Sequence, residues 1–100
     1  MASLPHMTLE EFQTLPDASP LRPPLQALWH AARGDWDRAH ALAQDASGRE
    51  GDWVHAYLHR LEGDHGNAAY WYARAGRPVF RCTPDAEWVA IATELLAAPA

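Results

Sequence analysis

Apolar positions recur along the chain at helical spacing, interrupted by short turn signals. Leu25, Leu28, Trp29 and Ala32 fall at i, i+3, i+4 and i+7, the stripe of an amphipathic helix. Gly34 predicts its end, because glycine tolerates the left-handed backbone at a helix C-terminus, and Asp35 is placed to cap the next helix. That helix is predicted from about Trp36 to Ala46, with Ala39, Leu42, Ala43 and Ala46 on one face, and Ser47-Gly48 breaks it. Asp52 is expected to cap a third helix with Val54, Tyr57, Leu58 and Leu61 inward. Gly63 closes it. Asp64 caps a fourth, turning Ala68, Trp71, Tyr72 and Ala75 inward, until Gly76 and Pro78 stop it.

The flanks carry clearer punctuation. Thr8 and Glu11 have capping-box spacing and predict a short helix, with Leu9, Phe12 and Leu15 available for packing, that Pro16 ends. Prolines 16, 20, 23 and 24 make the following connection stiff and extended. Thr83-Pro84 opens a last helix over Asp85–Ala97, a cap followed by proline at the first helical position, with Trp88, Ile91, Ala92 and Leu95 as its stripe. Val79 and Phe80 are expected to plug the end of the core, with Cys82 a small buried thiol beside them. Residues 1–7 show no periodicity and read as a flexible N-terminus ahead of one domain over residues 8–97.

Sliding the chain against itself by 29 residues aligns Leu25–Ala46 with Val54–Ala75. Ala27/Ala56, His30/His59, Gly34/Gly63, Asp35/Asp64, Ala39/Ala68 and Ala46/Ala75 are then identical. The shared physical pattern is helix, Gly-Asp turn, helix, with small alanines at matching contacts. The turn Gly34-Asp35-Trp36-Asp37-Arg38-Ala39 resembles the Gly-Asp-Tyr-x-x-Ala turn of the tetratricopeptide and Sel-like helical repeats, and Ala27 and Ala46 fall at that family's small positions. Gly63, Asp64, Ala68, Tyr72 and Ala75 fit the same frame in the second unit. The likeness covers about residues 24–78, with a period of 29 residues against about 34 in the family. The WVHAYLHR…NAAYWYARAG stretch is also similar to that of small bacterial proteins, a resemblance that implies no activity. The expected fold is all-α: two tandem helical hairpins with a short N-terminal helix and a C-terminal capping helix. A self-associating homodimer would be another way to cover an exposed apolar face.

Composition narrows the picture. Twenty residues are Ala and only 15 are Leu, Ile or Val, so the five Trp must supply much of the core's bulk. Valine and isoleucine together number 4, too few for a sheet. No residue is Lys; 8 Arg stand against 13 acids for a net charge of −5, which argues against nucleic-acid and anionic-membrane surfaces. The single Cys82 allows no internal disulfide, no apolar run approaches the ~20 residues of a membrane span, and a cytoplasmic location is the expectation.

Six His stand out in 100 residues. His55 and His59 are spaced i, i+4 and share one side of the third helix with Asp52 and Glu62, forming a polar ribbon beside the core stripe. Two imidazoles one turn apart plus a carboxylate suit a divalent transition metal such as Zn, with His30 or His40 completing the set from a neighbouring helix. The HxxxH spacing lacks the intervening Glu of HExxH, so no hydrolytic mechanism is named. On the competing reading these residues are partly exposed neighbours of the Trp rings. Tyr70 and Trp53, off the main stripes, are candidates for an exposed partner surface together with Arg74 and Arg77. Those arginines beside Trp and Tyr could also clamp a small anionic ligand, or simply suit the end of a helix dipole. The resemblance implies a protein–protein interaction module binding a protein or peptide; the residues themselves offer the metal centre as the alternative.

Overall fold

The computed structural model describes residues 7–98, so the expected flexible N-terminus lies, except for Met7, outside the described residues. Every regular element among them is an α-helix: α1 Leu9–Thr14, α2 Pro23–Ala32, α3 Trp36–Asp45, α4 Arg49–Leu61, α5 His65–Ala75 and α6 Pro84–Ala97. Five of these start where a local signal stands. Thr8 and Glu11 close a reciprocal capping box at α1. Two prolines open α2, and the Thr83 side chain accepts from Ala86 N at 3.2 Å to start α6. The Gly-Asp turns match in backbone geometry: Gly34 and Gly63 have φ of 79° and 80°, while Asp35 and Asp64 each accept a hydrogen bond from the amide three residues on, both at 3.2 Å.

The third long helix corrects the expectation. Gly48, at φ 97°, precedes α4, which begins at Arg49; Asp52 is therefore inside the first turn instead of at the cap. Glu50 and Asp52 complement the helix dipole there, and no side chain caps the start. Gly51 weakens the helix intrinsically but lets α3 approach it: a Cβ at this position would stand 2.5 Å from the Ala46 carbonyl oxygen.

Helix α4 packs against α2, α3, α5 and α6, and every residue from Trp53 to His59 is buried. A helix enclosed on all sides has no solvent stripe. This overturns the surface role expected for Trp53, which is only 2% exposed. Leu61, expected inward, is instead 41% exposed at the C-terminal end of α4, beyond the reach of its neighbours. Val79, expected to plug the core, is half exposed, and only Phe80 leans on Trp53; Cys82 is exposed. Trp88 closes the other end of the core, stacked on Phe12 with its indole donating to the Leu28 carbonyl at 3.0 Å.

One fully buried carboxylate ties the last three helices together. Glu87 accepts from Trp53 Nε1 at 3.1 Å, Arg60 at 2.7 Å and the Tyr72 hydroxyl at 2.6 Å, so α4, α5 and α6 meet on a single charged group. Burial and the hydrogen bond to this carboxylate hold the Tyr72 hydroxyl well above the usual phenol range. No helix among the described residues is long and apolar enough to cross a membrane.

Candidate metal centre

The contact between α3 and α4 is built from polar rings. His55 and His59 project from one side of α4 one turn apart, and α3 lays His40 against both. Ring centroids lie 4.6 Å apart for His40–His55, 5.2 Å for His40–His59 and 4.9 Å for His55–His59. One nitrogen from each ring falls within 4.8 Å of the other two. His55 and His59 are buried, whereas His40 is half-buried at the edge.

Two indoles enclose the trio. Trp36, one turn before His40 on α3, stacks on it at 4.7 Å and anchors itself through an indole hydrogen bond to the Leu58 carbonyl at 2.7 Å. Trp71 of α5 stacks on His55 at 3.8 Å. Stacking on both sides restricts the rings, so the imidazoles are held in place before any ligand arrives.

Burial favours the neutral form of two of the rings. Burial, then the positive charge His40, His59 and Arg74 would present, pushes His55 down from 6.5 to about 4. Burial and His59 lower His40 as well. Neutral imidazole is the form that ligates a metal. His59 Nδ1 lies 2.8 Å from Glu62 Oε1 and donates to it, so Nε2 is the nitrogen that faces away from the carboxylate. A carboxylate behind a histidine is the usual outer partner of a metal ligand, fixing its tautomer and orientation.

The remaining expected ligands are placed differently. Glu62 contacts the trio only through His59. His30 does not join: it meets Trp29 edge-on at 5.0 Å, and its charged neighbours are Arg38, Asp35, Arg33 and Asp17. His30 is the counterpart of His59 in the first unit, but Asp17 of the proline-rich connection lies near it, where His59 meets His40 of α3. Asp64 also approaches His59 and Glu62, yet its carboxylate is occupied in capping α5 through Asn67.

Of the residues expected to meet a partner, Trp53 is in the core, and Arg77 is drawn over it at 3.7 Å while pairing with Glu94. Tyr70 and Arg74 do lie on the surface; Arg74 reaches the Tyr70 hydroxyl at 3.4 Å, the Trp71 ring at 5.1 Å and Asp52 at 3.8 Å. The walls of the histidine cluster were missed by stripe projection. The spacing of Trp36 and His40, one turn apart, was the available signal for one wall. No protein-family model matches the chain, and comparison with curated proteins and with solved structures finds no significant likeness.

Proposed function

We propose that this is a metal-binding protein whose centre is His40, His55 and His59. The observation that carries the reading is the convergence of three ring nitrogens, within 4.8 Å of one another, from two different helices. An all-imidazole set suits a late first-row divalent ion, Zn above all, over Ca or Mg, which prefer oxygen ligands. Three protein ligands leave a further position for water or an anion, as in open rather than closed zinc sites. The finer fold reading, tandem hairpins of the tetratricopeptide kind, is supported by the pairing of α2 with α3 and α4 with α5 and by the two matched Gly-Asp turns. On that reading the metal would clamp one hairpin to the next.

Titration calorimetry and elemental analysis of untagged protein are expected to give one Zn per chain. At a free Zn concentration near 100 times Kd, the folded state gains about 2.7 kcal/mol, a Tm rise on the order of 10–20 °C. His40→Ala and His59→Ala should lose both effects, and His30→Ala should keep them. Absence of stoichiometric Zn, or equal damage from His30→Ala, would defeat the assignment.

A second reading, that the outer face of α5 meets a protein partner, is favoured by the exposed Tyr70–Arg74 pair beside Trp71; Tyr70 is 55% exposed. Tyr, Trp and Arg dominate the energetics of protein interfaces. If the face serves that role, Tyr70→Ala weakens partner retention on immobilised protein at least tenfold while the thermal unfolding curve stays in place. Retention unaffected by Tyr70→Ala and Arg74→Ala would remove the face from consideration.

A further inference from the structure

A groove of about 660 Å³ opens away from the histidine cluster, where the ends of α2 and α4 meet the start of α6. Its floor is Tyr57 and Trp88, both largely buried; Ala32, Leu61 and Val89 form its sides, and Asp85 stands at its rim. Leu61 and Val89 are each 41% exposed, two of the few large apolar side chains the fold leaves in contact with solvent. A volume in this range suits a small organic ligand.

The polar groups in the groove differ in what they have left to offer. Arg33 is committed: its guanidinium lies 3.5 Å from the Trp29 ring centroid and donates to the carbonyls of Gln13, Leu15 and Trp29. The Trp88 indole is committed to Leu28. Among the described residues, by contrast, Asp85 enters no ion pair and the Tyr57 hydroxyl no hydrogen bond, although Tyr57 is only 5% exposed. The body of Tyr57 is packed away while its hydroxyl reaches solvent in the cleft, beside an unpaired carboxylate and two exposed aliphatic side chains, so a hydrogen-bonding group, a charge and an apolar surface converge there. Burial, and then the charges of Asp85 and Glu87, push the Tyr57 hydroxyl up to about 12, so it remains a neutral hydrogen-bonding group in a negative field.

We propose that this groove binds an amphipathic organic cation, an ammonium or guanidinium head carried on a compact apolar body. The head pairs with Asp85 and hydrogen-bonds Tyr57 Oη; the body lies between Leu61 and Val89 over Trp88. The net charge of −5 draws such a ligand in and disfavours its anionic counterpart. The head is that of a free small amine, the kind of ligand a volume of about 660 Å³ suits.

Amide and indole chemical shifts of the full chain test this with four probes: phenethylamine, phenethyl alcohol, 3-phenylpropionate and acetyl-leucyl-arginine amide. A cationic probe is expected to shift residues 61, 85, 88 and 89 with Kd on the order of 1 mM, roughly tenfold tighter than the alcohol or the carboxylate. Asp85→Asn, an exposed change that leaves the helix start intact, weakens binding roughly tenfold. Val89→Arg, which puts a like charge into the groove, abolishes it. Binding of phenethylamine supports the assignment to a free amine, and binding of the dipeptide alone overturns it. If neither cation shifts these residues at ~10 mM, if the carboxylate binds as well as the amine, or if Asp85→Asn is without effect, the proposal fails.

Discussion

Replacing Glu87 with alanine is expected to lower the unfolding free energy by about 3–5 kcal/mol, the usual penalty for removing one partner of a buried ion pair. The carboxylate is fully buried and receives Trp53, Arg60 and Tyr72. Its removal leaves a nearly buried guanidinium without its counter-charge, held only by the Cys82 carbonyl, and a phenol and an indole without an acceptor at a point where three helices meet. Domains of this size are stable by only about 5–15 kcal/mol, so the Tm should fall on the order of 15–30 °C. Glu87→Gln keeps an acceptor oxygen of similar shape but loses the charge, and an intermediate loss is expected. The double change Glu87→Met with Arg60→Met should recover the part of the loss that comes from the unpaired guanidinium, while Tyr72 and Trp53 stay without their acceptor. Urea unfolding followed by circular dichroism measures all three. A Glu87→Ala loss below ~1 kcal/mol would show that the carboxylate does not hold the helices together.

Acid is expected to destabilise the metal-free protein as the pH falls below about 6.5. The unfolded chain protonates His55 near 6.5, whereas the folded chain holds it neutral down to about 4. Above pH 6.5 neither state binds the proton and the full stability is present. Between 6.5 and 4 only the unfolded state binds it, so stability falls as pH falls, at about 1.4 kcal/mol per pH unit. The loss amounts to about 3 kcal/mol and levels off below pH 4, and His40, lowered in the same direction, adds to it. Unfolding in chelator at pH 7 and at pH 4.5, compared with His55→Gln, isolates the effect. Equal stability at the two pH values, or an unchanged fall in the variant, would refute it.

Much of the helical layout was legible because its signals are local. Glycine followed by aspartate at 34–35 and 63–64 specifies a left-handed residue and then a cap whatever surrounds it. The start of α4 was misjudged because Asp52 resembles a cap, and the earlier start brings Gly51 against Ala46, the residue that ends α3. Trp53 was misplaced for a related reason. Projection onto one stripe assumes an exposed back, and α4 has none. The candidate site divides the same way. His55 and His59 share a face by spacing alone, but the choice of His40 over His30 as their neighbour depends on which helix meets the side of α4 that carries them. Glu87, whose neighbours lie 15 to 34 residues away, left no periodic trace in the sequence.

The placement of the indoles gives the molecule a built-in optical gauge. Of its five, Trp36 and Trp71 stack on the histidines. An excited indole is quenched more efficiently by a protonated imidazole in contact than by a neutral one. Emission from these two rings therefore tracks the charge of the cluster, while Trp53, hydrogen-bonded to Glu87, responds to the loss of contact between α4 and α6 on unfolding. Helix packing and imidazole charge can be followed in one unlabelled sample.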